Sequence, residues 1–328
     1  MKKQKIIIIG ILITILIGVF PSITLAQEAF LDLTARAAIL VEERTGRILY
    51  GKNENERMYP ASITKILTAY VALQYLDPDD LIVIGREILL VPPGSSVARN
   101  QVGETKTVEN MIRALIISSG NETSISIAVN VVRRRNGIQN VNYVEAMAEF
   151  MDIMNEQARS FGAFNTNFTN PHGFHDDNHF TTAYDMALII RAALQNPLIR
   201  RISAEAEFVG NGADNRAAPG AFTQEYDWTS RNLLIVEESP FFYPYASGIK
   251  TGFHDQASDT LASTAMRNNI NLIAVVLYSP MPGRWNDSIK LFEYGFNFFD
   301  FEVVQEAGAV IGQVEVDKLG LAMIICLI

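Results

Sequence analysis

Strand patterns stand near both ends of this chain, and helical patterns fill the stretch between them. That arrangement constrains the fold more than any other feature. AAILVEERTGRILYGKN, residues 37–53, reads as two strands around a Thr45-Gly46 hairpin turn. Far downstream, ASGIKTGF (246–253), DTLASTAMR and NLIAVVLYS read as three more, the last two joined through NNI. Between these ends, Pro60 opens a helix that runs to about Leu76, where Asp-Pro-Asp-Asp stops it. VENMIRALIIS (108–118) and ETSISIAVNVV carry helical spacing and are split by Ser-Gly-Asn. Residues 142–161 form an amphipathic helix with Val144, Met147, Ala148, Met151 and Met154 as its apolar residues. After a polar loop, NPHGFHDDNH (170–179), comes the helix TTAYDMALIIRAAL, with Thr182 and Asp185 spaced like a capping box. Residues 203–230 show no pattern and are expected to be irregular, and WNDSIKLFEYGFNFF is a closing helix. The expectation is an α+β fold. One antiparallel sheet, built from the N- and C-terminal segments, packs with a helical block.

The first 26 residues stand apart from that globule. A basic start, MKKQK, leads into the apolar run IIIIGILITILIGVF and then into PSITLA. That is the pattern of a secretory signal peptide, with a cut expected after Ala26. The run is short for a bilayer span, which disfavours an uncleaved anchor. The chain carries 27 basic and 36 acidic residues, and three of the basic ones lie in this leader. The exported part is therefore more acidic still, which disfavours nucleic acid as a partner. Cys326 is the only cysteine. An intrachain disulfide, thiol catalysis and a Cys-based zinc site in the body are excluded.

The chemistry centres on YPASITKILTAYVAL, residues 59–73. Ser62 and Lys65 are three apart and share a helix face, so the amine can reach the hydroxyl. A serine hydroxyl needs such a base, and a lysine serves only when burial and nearby cations lower its pKa. Alone, the pair favours a plainer account: a capped turn and a solvated lysine. Two later features change the balance. Ser119-Gly120-Asn121 interrupts a strongly apolar helical pattern 57 residues on, and Lys250-Thr251-Gly252 with Phe253 lies on an expected strand 131 residues beyond that. Taken singly, the first reads as an inter-helix turn and the second as a strand ending in a turn.

The ordered set Ser-x-x-Lys, Ser-x-Asn, Lys-Thr-Gly resembles that of penicillin-binding proteins and class A β-lactamases. More widely, the chain resembles the serine-type D-alanyl-D-alanine carboxypeptidases, the low-molecular-mass penicillin-binding proteins. The segments AAILVEERTGRILYGKN, PASITKILTAYVAL, SGNETS, NPHGFHDDNHFTTAYDMALIIRAAL and SGIKTGF carry the likeness, over roughly residues 35 to 300. The resemblance implies a β-lactamase/transpeptidase-like fold. It implies removal of the terminal D-alanine from peptidoglycan stem peptides through an acyl-enzyme on Ser62. Lys65 would be the base, Ser119 would relay a proton to the leaving D-alanine, and Asn121 would hold the substrate amide and Lys65. Lys250 would add positive potential and Thr251 would bind the terminal carboxylate. The N–H groups of Ser62 and Phe253, the latter following Gly252, would form the oxyanion hole. β-Lactam antibiotics would acylate the same serine. No cofactor and no metal is implied. The setting would be the periplasm, or the outer face of the cytoplasmic membrane and the cell wall.

The sequence departs from the family in two places. Glu122 stands where Asp is common after Ser-Gly-Asn, a mild change. Many members continue into a β-rich second domain and an amphipathic anchor helix, whereas only residues 301–328 follow the closing helix here. The expected layout is a signal peptide (1–26), a penicillin-binding serine peptidase domain (27–300) and a short C-terminal segment (301–328). In that segment VIGQVEV reads as the start of a truncated second domain, and LGLAMIICLI is too short to span a bilayer, so membrane association stays open. Three alternatives remain at this point. A β-lactamase or D,D-endopeptidase would share the acylation parts; no Glu-x-x-Asn-type element of a class A β-lactamase stands in 165–180, whereas carboxypeptidase versus endopeptidase action stays open. His172, His175 and His179 beside Asp176 and Asp177 raise a metal site, although the spacing is not that of His-Glu-x-x-His and the loop is expected to order itself by hydrogen bonds. A catalytically inactive peptidoglycan-binding protein is the third.

Overall fold

The computed structural model describes residues 31–211 and 225–299, with the pairs 313–314 and 323–324. In chain order the strands are β1 (Ala37–Glu42), β2 (Ile48–Lys52), β3 (Leu81–Val83), β4 (Thr105–Thr107), β5 (Glu207–Asn211), β6 (Glu225–Thr229), β7 (Ala246–His254), β8 (Ser258–Arg267) and β9 (Ile270–Ser279). The two-residue strands β10 (Gln313–Val314) and β11 (Met323–Ile324) pair with each other. The main sheet is antiparallel with order β2-β1-β9-β8-β7, so the N-terminal hairpin completes a sheet otherwise made near the C-terminus. This is the α+β arrangement expected from the sequence.

Side chains alternate across the sheet, and both faces are covered. Ile39, Val41, Ile273 and Val275 belong to the core shared with the helical block. On the opposite face, Leu40 and Leu272 lie against Gly295 of the closing helix, Gly283–Phe298. Every residue of β1 is buried, which explains why its sequence runs apolar without alternation. At the centre of the block lies the Lys65–Tyr75 helix, buried at Ile66, Leu67, Ala69, Val71 and Ala72. It contacts the helices Val108–Ile116, Asn121–Asn136, Tyr143–Ser160 and Ala183–Ala193.

Three expectations need correction. The helix does not start at Pro60: Ala61–Thr64 is a 3-10 turn and the α-helix starts at Lys65. Ala61 has φ +50°, a value outside the right-handed helical region, so the chain turns before it winds. Residues 203–230 are not irregular throughout. They include the end of a short helix, Pro197–Ser203, and the antiparallel pair β5–β6. Only Tyr226 and Trp228 of β6 are buried, too short an alternation to stand out in sequence. The capping box is half formed: Thr182 Oγ1 accepts from Asp185 N (3.0 Å), but the Asp185 carboxylate accepts from Asn165 N (2.7 Å) and Thr166 Oγ1 (2.8 Å) instead.

The expected signal peptide, and most of the expected C-terminal segment, lie outside the described residues. Among those described, no helix is long and apolar enough to cross a membrane.

Candidate active site

Three parts of the chain hold the Ser62 turn in place. Thr260 Oγ1 of β8 donates to Pro60 O (3.0 Å). Gly252 of β7 lies so close that a Cβ there would sit 2.8 Å from Ser62 N and 2.9 Å from Pro60 O. Only glycine lets that strand edge reach the serine backbone. From the other side comes the 170–179 loop. A Cβ on Gly173, which has φ +81°, would fall 1.8 Å from Ala61 O. His179 fastens this loop. Thr64 Oγ1 spends its single proton on Ala61 O (2.8 Å), so it must accept from His179 Nε2–H (2.9 Å). His179 Nδ1 then accepts from Thr169 N (3.1 Å). The tautomer is fixed by its neighbours, and burial, then His254, Lys65 and His175, lower the His179 pKa to about 3.

Lys65 is fully buried, and its amine has three neighbours: His172 O (2.6 Å), Asn121 Oδ1 (2.7 Å) and Ser62 Oγ (2.9 Å). Two of these, the carbonyl of His172 and the amide oxygen of Asn121, can only accept. A neutral amine has two N–H bonds and one lone pair. In that state both hydrogens would go to these two acceptors, and the lone pair would face the Ser62 hydroxyl. Burial, then the Lys250 charge, hold the Lys65 pKa well below the usual lysine value; Glu122 opposes them, and Arg231 adds a smaller lowering. The i, i+3 pair thus meets as expected, and its amine is deprotonated far more readily than a surface lysine.

Ser119, with φ +64°, and Gly120 make the break between two helices. Asn121 begins the second helix, its N–H donating to Ser96 O (2.8 Å) and its Nδ2 to Ser95 Oγ (3.0 Å). Glu122 is buried and its Oε1 accepts from Ala98 N (2.7 Å) and Asn100 N (3.3 Å), which anchors the loop carrying those serines. The cavity in front of Ser62, about 510 Å³, is lined by Ser62, Ser119, Asn121, Thr251, Gly252 and Phe253. Lys65 and Lys250 stand behind its wall. Lys250 is 2% exposed and donates to Thr251 O (2.9 Å). Burial, then Arg231 and Arg284, lower its pKa to about 7.

The sequence reading missed two residues that shape the field. Arg231 lines the cavity and donates to Ser96 Oγ (2.8 Å). Arg284 lines it too, donates to Gly252 O (3.1 Å) and pairs with Asp259 (2.7 Å). Neither lies in a recognisable motif; a charge beside Trp285 at the start of an apolar helix was the one visible signal. The histidines of the 170–179 loop do not converge. His172 supplies its carbonyl to Lys65 and accepts from Phe174 N at Nδ1 (3.1 Å), His179 holds the Ser62 turn, and His175 faces Tyr59 (4.9 Å) and His254 (5.2 Å) at the mouth. Among the described residues, no group of three possible metal-ligating side chains gathers.

Comparisons with known proteins give the family and the fold. The D-alanyl-D-alanine carboxypeptidase family model, Peptidase S11, matches residues 23–280. DacF of Bacillus subtilis, a D-alanyl-D-alanine carboxypeptidase, is 28% identical over 94% of this chain and 76% of its own length. DacA of Haemophilus influenzae, of the same description, is 31% identical over 86% of this chain and 67% of its own length. The crystal structure of the Streptomyces K15 DD-transpeptidase superposes with a TM-score of 0.73 at 25% identity, covering 81% of this chain and 98% of that one. The chain belongs to the Peptidase S11 family of penicillin-binding serine hydrolases, the D-alanyl-D-alanine carboxypeptidases.

Proposed function

We propose that Ser62 is the acylated residue and that the remaining groups divide its chemistry as follows. Lys65, neutral, takes the Ser62 proton as Oγ bonds to the carbonyl carbon of the penultimate D-alanine. The N–H groups of Ser62 and Phe253 hold the oxyanion, and in comparable sites one such donor is worth about 3 kcal/mol. As the C–N bond breaks, the proton passes from Lys65 through Ser119 to the leaving D-alanine amine. Asn121 keeps Lys65 in place and meets the substrate amide. Thr251 binds the terminal carboxylate, with Lys250, Arg231 and Arg284 supplying positive potential around it. Water, deprotonated by Lys65, then releases the shortened stem peptide. A β-lactam forms the same ester on Ser62.

The observation that carries this reading is the buried amine of Lys65, held by two acceptors, His172 O and Asn121 Oδ1, with Ser62 Oγ at 2.9 Å. The intact constellation is poor support for an inactive binding protein. A class A β-lactamase has less support because residues 165–180 hold no Glu-x-x-Asn-type element and His179 of that stretch holds the Ser62 turn. The leader MKKQKIIIIGILITILIGVF supports export, the side of the membrane on which peptidoglycan would be met. A fluorescent penicillin should label the parent covalently and leave Ser62→Ala unlabelled, while the parent releases D-alanine from a peptide ending in D-Ala-D-Ala. Labelling of both proteins, or rapid turnover of penicillin, contradicts the proposal.

A further inference from the structure

A second cavity neighbours the first at the far end of β7. This second cavity, about 380 Å³, is lined by Arg36, Arg57, Tyr59, Phe180, Gln256 and Tyr278 among others. Gln256 lines both cavities. Tyr59 joins them as well, since its ring packs on His175 (4.9 Å) and His254 (6.0 Å), both of which line the catalytic cavity.

The direction of the substrate follows from the charges. The cations and Thr251, which suit a terminal carboxylate, stand beside the 250–252 part of β7. The rest of the peptide must therefore leave in the opposite direction, past Phe253 and His254. An extended chain advances about 3.3 Å per residue, the same step as the strand beside it. The residue two before the acyl D-alanine then falls at the 255–256 turn, where the second cavity opens.

The chemistry of that cavity is cationic and aromatic. Arg57 stacks on Phe180 (4.5 Å) and its hydrogen bond goes to the neutral amide of Asn165 (3.5 Å). The Asp185 carboxylate feels its charge but is itself bonded to Asn165 N and Thr166 Oγ1. Arg36 lies over Tyr278 (5.9 Å) and is paired with Glu56. Asp177, the one carboxylate in the lining, is solvent-exposed and lies 3.4 Å from His175 Nε2. Arg57 is thus the cation with a guanidinium edge left to offer.

Resting on the reading of Ser62 as the acylated residue, we propose that this cavity is the subsite for the acyl-donor stem. Arg57, with Arg36 beside it, binds a carboxylate carried by an acidic stem peptide two residues before the acyl D-alanine. The test compares two pentapeptides, L-Ala-γ-D-Glu-L-Lys-D-Ala-D-Ala and its α-amidated D-isoglutamine form, with the short diacetyl-L-Lys-D-Ala-D-Ala. The parent should favour the free acid about fivefold in kcat/KM, the scale of a part-exposed ion pair. Arg57→Gln should erase that preference, while turnover of the short peptide and acylation by penicillin stay at the parent's rates. Equal turnover of acid and amide by the parent overturns the subsite, as does an Arg57→Gln loss shared by all three peptides. Failure of penicillin to label the parent at Ser62 would refute the Ser62 reading itself, so the two failures are told apart.

Discussion

The floor and the mouth of the catalytic cavity are built differently. At the floor, Lys65, Thr64, Asn121, His172 and His179 are all buried, and each polar atom that holds Ser62 has a specific partner. At the mouth, Phe253 is 63% exposed, and His175, His254 and Tyr59 meet one another through ring contacts, with His254 Nδ1 tied only to its own turn at Ala257 N (3.1 Å). The difference separates two tasks. Proton transfer needs a donor and an acceptor fixed in one geometry, and burial with complete hydrogen bonding supplies that. Admitting a long peptide needs a surface that tolerates variation. The floor should therefore be intolerant of small changes and the mouth tolerant of large ones.

The sharpest test of that contrast is Gly252→Ala. The added methyl displaces the Ser62 N–H and the β7 edge, removing at least one oxyanion donor, and acylation by penicillin should fall by about a hundredfold or more. Unchanged acylation would mean that the Ser62 backbone is not held by β7. Next comes acid stability. His179, with a pKa lowered to about 3, and His172, lowered well below the usual value, stay neutral in the folded protein. An unfolded histidine takes up its proton near pH 6.5. Stability is then fully present above that pH and is lost as pH falls toward 3, by up to about 1.4 kcal/mol per pH unit for each group. Thermal unfolding between pH 7 and pH 4 should show the midpoint dropping steadily, and His179→Gln should have a lower midpoint at pH 7 and a shallower slope. A flat profile in the parent would break the account of the floor. The smallest effect belongs to the mouth: His254→Asn should change the penicillin acylation rate by less than about twofold, since it removes ring contacts and alters one acceptor for Ala257 N (3.1 Å) but touches no bond to Ser62 or Lys65.

Much of this was legible in the sequence because it depends on local pattern. The hairpin at Thr45-Gly46, the Asn268-Asn269 turn and the sheet shared between the two ends all follow from period and turn residues. Ser62, Lys65, Asn121 and Lys250 came from ordered motifs, and the structure gathers them around one cavity. What was hidden depends on long-range packing. No pattern marks the carbonyl of His172 as the second acceptor for Lys65, because every residue has a carbonyl and only the fold selects this one. Arg231 and Arg284 reach the cavity from segments without motifs. The three histidines looked like a cluster because they are close in sequence, yet each ring points to a different neighbour.

The central claim is that Ser62 is activated by a neutral Lys65. The rate of acylation by penicillin, followed from pH 5 to pH 11 in the parent and in Lys65→Ala, tests it most directly. A deprotonated base with a lowered pKa predicts a rise that is complete well below the ordinary lysine value of 10.5 in the parent, and a rate about a thousandfold lower in Lys65→Ala. A parent rate that keeps climbing tenfold per pH unit up to 10.5, or one that Lys65→Ala leaves unchanged, would contradict it.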